Sequence, residues 1–160
     1  ASGIGVAAIQ MAKALGHRVI ITARKEAQLN LCKDIGADAA VLLDNDWVTQ
    51  VKASRGSVQV VLDMLGEKTF PGNIQVLGKE GRLVWIAFLS GAKVTVTIPQ
   101  MMEKKIRQTG RVLRQQSVDG KAKSAVGLWE QSWPEISAGK IKPASVKRLT
   151  IKEGQQEQAW

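Results

Sequence analysis

The chain opens with ASGIGVAAIQMAKALG (residues 1–16), and this stretch decides the fold. Ile4, Ala8 and Met11 recur at helical spacing and place apolar side chains on one stripe. Gly16 then supplies the residue type that most often ends a helix. The stretch predicts a helix that begins directly behind a glycine-rich turn and packs its small, apolar face on a sheet.

Strands and helices alternate in the sequence that follows this helix. Arg18–Ala23 is a continuous apolar and β-branched run, as expected for a strand buried on both faces. Regular alternation of this kind implies βαβ crossovers, so we predict an α/β fold with a doubly wound parallel sheet. The other predicted strands are Ala39–Leu43, Val58–Met64 and Arg82–Phe88, and the predicted helices between them are Glu26–Ile35, Asp46–Ser54 and Phe70–Leu77.

The second half of the chain has a less regular pattern. Val94–Ile98 alternates like a short strand, and Pro99 favours the first turn of a following helix. The remaining predicted elements are a strand at Thr109–Leu113, a long helix at Lys121–Ser137, a last strand at Val146–Leu149 and a helix over Glu153–Trp160.

Composition places the chain among ordinary globular domains. Its 160 residues are 44% hydrophobic and 23% charged, and no apolar run approaches the ~18 residues that a membrane-spanning helix needs. One cysteine, Cys32, and one histidine, His17, exclude a disulfide framework and are too few for an ordinary structural zinc site. We therefore expect no metal site, and the single thiol favours a reducing, cytoplasmic location.

The net charge of +9 is concentrated in the second half of the chain. Residues 81–160 carry fourteen Lys and Arg against six Asp and Glu, and residues 104–123 carry seven against one. Such a basic segment leaves an RNA-binding function open. The sequence has no Tyr and two Phe, which argues against a base-stacking surface. A nucleic-acid partner is therefore the less favoured alternative.

The glycine-rich turn is a candidate anion site. Backbone N–H groups at a helix N-terminus are directed toward an anion, and glycines let the ligand approach the backbone closely. In doubly wound folds such a turn holds the pyrophosphate of a dinucleotide. The turn comprises Ser2, Gly3, Ile4, Gly5 and Val6.

Two basic residues follow the Arg18–Ala23 strand, where enzymes selective for NAD usually carry an acid. The side chains of Arg24 and Lys25 would attract the 2′-phosphate of NADPH through charge-assisted hydrogen bonds. The alternative is a basic helix start that faces only water. We predict NADPH as the cofactor.

Several segments together resemble the zinc-free NADPH:quinone oxidoreductase branch of the medium-chain dehydrogenase/reductase superfamily. The resemblance runs through the chain in order. It is carried by SGIGVAAIQMAKALG (2–16), CKDIGAD (32–38), VVLDMLG (60–66), GRLVWIAFLSG (81–91) and TGRVLR (109–114).

This resemblance implies an oxidoreductase that transfers hydride from NADPH to a quinone or a related electron-poor carbonyl compound. Residues 1–160 would form its NAD(P)-binding Rossmann domain, incomplete because the first and last strands are missing. The N-terminal GroES-like domain, absent from this chain, would complete the active site. We therefore expect no catalytic residue within the chain and little activity from these residues alone. A non-catalytic NADPH-binding role stays open.

The resemblance also implies positions for the cofactor and for a second subunit. Met64, Leu65 and Gly66 would lie by the adenosine ribose, and Phe88, Leu89 and Ser90 by the nicotinamide. A homodimer would form through the Val94–Ile98 strand. The sequence departs from the family pattern at Gln28, where Lys is common, at Leu43, where an adenine-stacking Tyr is common, and at Arg111, where Ser is usual.

Overall fold

The computed structural model describes residues 2–143, and its strands and helices alternate along most of this range. The helices are α1 (Gly3–Ala14), α2 (Glu26–Asp34), α3 (Trp47–Arg55), α4 (Phe70–Val76), α5 (Ile98–Lys104) and α6 (Val118–Ser137), with a short 3-10 helix at Leu113–Gln115. The strands are β1 (Ile20–Ala23), β2 (Ala39–Leu42), β3 (Val58–Asp63), β4 (Leu77–Trp85) and β5 (Arg107–Gly110).

All the strand pairs in the described residues are parallel, as the alternating sequence predicts. Strands β1 and β2 form one ladder, and β3, β4 and β5 form another in that order. Parallel neighbours require crossover connections, and helices α2 and α4 supply two of them. The predicted α/β class with parallel strands is confirmed.

The two ladders share one apolar interior. Val41, Val51 and Val76 form a buried cluster, and it is packed by Ile20 from β1 and by Val58 from β3. Side chains from both ladders thus meet, although no backbone pairing joins β1 to β3 in the described residues. A second cluster, around the almost fully buried Leu77 and Leu83, lies under β3, β4 and α4. The joint between the ladders therefore depends on side-chain packing.

An ion pair anchors α1 to the start of β1. The Lys13 ammonium donates to both carboxylate oxygens of Asp38, at 2.8 and 2.9 Å, and the Val19 N–H donates to the same carboxylate at 2.7 Å. The Lys13 and Val19 hydrogen bonds hold the pKa of the Asp38 carboxyl below its usual value. The observed strand begins at Ile20, two residues after the predicted start at Arg18, because Val19 bonds to Asp38 first.

Predicted element boundaries in the second half need four corrections, the first of which is that the strand predicted at Arg82–Phe88 spans Leu77–Trp85. Val94–Ile98 is not a strand, because it joins no ladder in the described residues and Ile98 already begins α5. The strand predicted at Thr109–Leu113 lies instead at Arg107–Gly110, since the ladder ends where Gly110 pairs with the last residue of β4. The final helix begins at Val118 because the Ser117 hydroxyl accepts from the Gly120 N–H at 3.1 Å.

The strand predicted at Val146–Leu149 and the helix predicted at Glu153–Trp160 lie outside the described residues. Within residues 2–143, no helix combines the length and the apolar character needed to cross a bilayer.

Helices α3 and α4 approach closely at a glycine, which yields a stability prediction. A Cβ on Gly72 would overlap the indole ring of Trp47. We expect Gly72→Ala to lower the free energy of unfolding by about 1–3 kcal/mol through overpacking, measured by urea denaturation. The control is Gly127→Ala in α6, where the added methyl meets open space, so that stability should rise by about 0.5–1 kcal/mol. A Gly72→Ala variant as stable as the parent would contradict this contact.

Candidate functional site

The loops that follow β3 and β4 are joined by backbone hydrogen bonds. The Leu89 N–H donates to the Met64 carbonyl at 3.0 Å, and the Ser90 N–H donates to the Leu65 carbonyl at 2.8 Å. The Ser90 hydroxyl donates to the same Leu65 oxygen at 2.7 Å. The predicted segments 64–66 and 88–90 therefore lie side by side at the carboxyl ends of their strands. In an open parallel sheet, ligands bind at this edge.

A buried carboxylate holds the first of these loops. Asp63 is the last residue of β3 and is 6% exposed. Its carboxylate accepts hydrogen bonds from the Leu65 N–H at 2.9 Å, the Gly66 N–H at 3.0 Å and the Thr69 hydroxyl at 3.1 Å. A carboxylate so deep in the protein requires such donors to offset its lost hydration. The bonds fix the turn between β3 and α4.

Glycine is required at position 66 because two chain segments meet there. Gly66 has a φ of 83°, and a Cβ on it would lie 2.5 Å from the Gly91 carbonyl oxygen and 3.3 Å from the Phe88 Cα. Gly66 and Gly91 form an isolated parallel bridge, and the Glu67 N–H donates to the Gly91 oxygen at 3.1 Å. Any larger residue at position 66 would separate the two loops.

The glycine-rich turn of residues 2–6 lies beside the same strand ends. Ser2 is the N-cap of α1, and its hydroxyl accepts from the Gly5 N–H at 3.1 Å. The same hydroxyl donates to the Met64 sulfur at 3.8 Å. Within the described residues, the N–H groups of Gly3 and Ile4 have no protein acceptor. A helix N-terminus with unpaired N–H groups attracts anions.

Arg24 and Lys25 lie apart from the loop contacts. Both are exposed and follow β1 directly, and Lys25 is the N-cap residue of α2 without a side-chain cap bond. No hydrogen bond or ion pair within residues 2–143 connects either side chain to the turn or to the two loops. The structure thus brings together residues 2–6, 64–66 and 88–90. Arg24 and Lys25 lie outside these contacts, at the carboxyl end of β1.

Asp63, which organises the loops, is not among the residues that the sequence predicts for the site. The available signal was an acid at the end of an apolar strand, followed by residues whose backbone N–H groups it could bind in an Asx-type turn. The large side chains nearest the loop contact are exposed, Phe88 at 68% and Leu89 at 80%. Apolar side chains that face water in the loop after β4 are available to contact a ligand.

The described residues offer no metal centre. No three His, Cys, Asp or Glu side chains between residues 2 and 143 are grouped so that they could hold a metal ion. Cys32 is buried in a core cluster with Ile9 and Ala37, and burial raises the pKa of its thiol. This cysteine therefore packs the interior.

The zinc-binding dehydrogenase family matches residues 3–128, which is most of the chain. The acryloyl-coenzyme A reductase of Sulfurisphaera tokodaii is 28% identical over 149 residues, which are 93% of this chain and 41% of the reductase. Because the match covers less than half of that relative, the chain is comparable to only part of it.

Solved structures agree with this match. Escherichia coli quinone oxidoreductase in complex with NADPH has a TM-score of 0.73 at 26% identity, covering 89% of this chain and 44% of that protein. An NAD-dependent alcohol dehydrogenase has a TM-score of 0.70 at 27% identity, covering 89% of this chain and 40% of that protein. The predicted resemblance to the cofactor-binding half of medium-chain dehydrogenases/reductases is confirmed.

The hydrogen bonds of Asp63 yield a prediction about the loops. We expect Asp63→Asn to lower the free energy of unfolding by about 1–3 kcal/mol, because an amide nitrogen replaces one acceptor oxygen in front of buried donors. Chemical denaturation measures the change. The matched control is Asp34→Asn at the exposed end of α2, whose stability should stay within about 0.5 kcal/mol of the parent. Equal effects of the two substitutions would contradict the role of Asp63.

Proposed function

Because the chain belongs to the zinc-binding dehydrogenase family, we propose that it is the cofactor half of an oxidoreductase. The proposed reaction transfers hydride from NADPH to a quinone or a related electron-poor carbonyl compound. The observation that carries the proposal is the meeting of three loop segments at one edge of the sheet, residues 2–6, 64–66 and 88–90. A single extended ligand could contact all of them.

The glycine-rich turn suits the pyrophosphate of the cofactor. Gly3 has no atom within 4 Å of where a Cβ would stand, so the backbone is open to close approach. Its N–H and that of Ile4 have no acceptor in the described residues and are oriented by the Ser2 cap. Two such donors at the positive end of a 12-residue helix stabilise a phosphate.

The two joined loops suit the nucleoside ends of the cofactor. We assign residues 64–66 to the adenosine ribose and residues 88–90 to the nicotinamide. The bound nicotinamide would supply the hydride. The chain would orient the cofactor through the Ser90–Leu65 contact and keep water from one face of it with the exposed Phe88 and Leu89. No side chain of this chain is assigned a proton-transfer role.

The names of two relatives support an electron-poor acceptor. A quinone and an acryloyl thioester both contain a carbon–carbon double bond conjugated to a carbonyl group, which makes a β-carbon or a ring position receptive to hydride. Quinone oxidoreductase and acryloyl-coenzyme A reductase are both relatives at similar identity. We therefore assign this acceptor class, with a quinone as the working substrate.

Arg24 and Lys25 yield a test of both the reaction and the cofactor. In reactions of the full-length protein with 1,4-benzoquinone, followed by loss of reduced-cofactor absorbance, we expect kcat/KM for NADPH to exceed that for NADH by roughly 10–100-fold. The reason is that charged hydrogen bonds to the 2′-phosphate contribute about 1.5–3 kcal/mol. The Arg24→Gln/Lys25→Gln variant should lose most of this preference and keep its rate with NADH.

The control for this experiment is Lys52→Gln/Arg55→Gln, which removes the same charge from the last turn of α3, before the start of β3. That turn lies at the amino end of β3, whereas Arg24 and Lys25 follow the carboxyl end of β1. The preference for NADPH over NADH should therefore persist in this variant. Equal kcat/KM for NADPH and NADH in the parent protein would contradict the assignment of NADPH as the cofactor. No turnover of the full-length protein with either cofactor would contradict the proposed reaction.

We further propose a homodimer through residues 94–98. Thr95, Val96 and Thr97 are exposed, and the segment belongs to no ladder within residues 2–143. Unpaired backbone groups in a β-branched, uncharged segment favour pairing with a second copy. Thr95 or Thr97 would lie near the twofold axis.

Sedimentation tests the dimer. We expect Thr97→Pro to dissociate it, because proline removes a backbone N–H from the paired edge. Thr97→Ser keeps the N–H and should stay dimeric. Strictly monomeric sedimentation of the parent at tens of micromolar would exclude the assembly.

A further inference from the structure

A cavity of about 520 Å³ opens at the carboxyl ends of β4 and β5. Its walls come from the first turn of α1, from the residues that follow β4 and β5, from the segment that leads into α6 and from α6 itself. The lining residues are Ile4, Ile86, Arg111, Leu113, Gln116 and Ser124. The cavity therefore shares Ile4 with the glycine-rich turn and lies at the same carboxyl ends of the strands as the two joined loops.

The backbone holds Arg111 at this cavity. Gly110 pairs with Trp85 at the end of the β4–β5 ladder, and the next N–H, that of Arg111, still donates to the Trp85 carbonyl at 2.9 Å. Ile86 forms the opposite wall, and its N–H donates to the Asp63 carbonyl at 3.0 Å. Both residues are thus fixed by the strands.

The guanidinium of Arg111 has no acidic partner within residues 2–143. The ion pairs of that range are Lys13–Asp38 and Lys140–Glu135, and the cavity lining contains no Asp or Glu. The Ser124 hydroxyl already donates to the Gly120 carbonyl at 2.9 Å. Arg111 and Gln116 are therefore the lining residues whose side chains can still donate to a ligand.

The lining combines three aliphatic side chains with one cation, and this combination selects a class of ligand. Ile4 and Leu113 are exposed at 56% and 64%, so a flat organic group would cover apolar surface that otherwise faces water. The arginine fork matches the geometry of a carboxylate, a sulfonate or a phosphate. A neutral ligand would leave this fork without an acceptor.

We infer that the cavity binds an unsaturated or aromatic anion, with Arg111 as the residue that selects for its negative group. If the proposed function holds, the favoured hydride acceptors carry a carboxylate or another anionic substituent. The acceptor role rests on the proposed function, whereas the binding of an aromatic anion does not.

Binding of two naphthalene probes tests this site without any cofactor. We expect calorimetry at neutral pH to give 2-naphthalenesulfonate a dissociation constant about tenfold lower than that of the uncharged 2-naphthol, because the sulfonate gains a charged hydrogen bond. Arg111→Gln should abolish the difference while leaving 2-naphthol binding unchanged. Unchanged 2-naphthol binding also shows that the cavity of the variant is intact.

A matched control separates the site from general electrostatic attraction. Arg114→Gln removes the same charge three residues away, from the exposed 3-10 helix, and should keep the preference for the sulfonate. Loss of the preference in both variants, or in neither, would overturn the inference. Selective loss in Arg111→Gln supports it.

Failure of the proposed function would be distinguishable from failure of this site. A protein that binds the sulfonate through Arg111 but reduces no quinone keeps the anion site and loses the acceptor role. A protein that reduces benzoquinone but binds both probes equally loses the anion site and keeps the proposed function.

Discussion

The carboxylate of Asp63 is the interaction on which the rest of the site depends. Asp63 is the last residue of β3 and is buried, where an ionised group needs several hydrogen-bond donors. Two of these donors are the N–H groups of Leu65 and Gly66 in the turn that follows. That turn sets the Leu65 carbonyl and Gly66 against the loop after β4. The main-chain carbonyl of Asp63 also binds Ile86. One residue therefore connects the loop contact to the wall of the neighbouring cavity.

The joint between the two ladders depends on a different kind of force. Ile20 and Val58 pack on a common cluster, yet β1 and β3 exchange no backbone hydrogen bonds in the described residues. Val60 and Leu62 of β3 remain 47% and 45% exposed. Hydrophobic contact is not directional, so it brings the ladders together without fixing their register. The directional bonds of Lys13 and Asp38 connect α1 with the starts of β1 and β2 and do not extend to β3.

Local sequence patterns predicted the parallel α/β class and the glycine-rich turn at residues 2–6, because apolar runs and glycine turns are short-range signals. The segments 64–66 and 88–90 were implied only by the family resemblance. Local patterns could not predict what depends on distant partners. Val94–Ile98 has strand-like composition, but a strand requires a pairing partner, and within residues 2–143 this segment has none. The position of β5 is likewise set by where β4 ends. The sequence shows that residue 63 is acidic. Its burial and the three groups that donate hydrogen bonds to its carboxylate are apparent only in the folded chain.

The basic character of residues 104–123 has specific structural origins at two of its positions. The Lys104 ammonium donates to the carbonyls of Ile74, Gln75 and Leu77, which closes the carboxyl end of α4, and burial lowers the pKa of this amine. Arg111 faces an organic-sized cavity whose other walls are largely aliphatic. A nucleic-acid surface would need such cations aligned on an open face and free to contact successive phosphates. One of these two cations completes a helix and the other lines the cavity for which we infer an aromatic anion, so each has a local structural setting of its own.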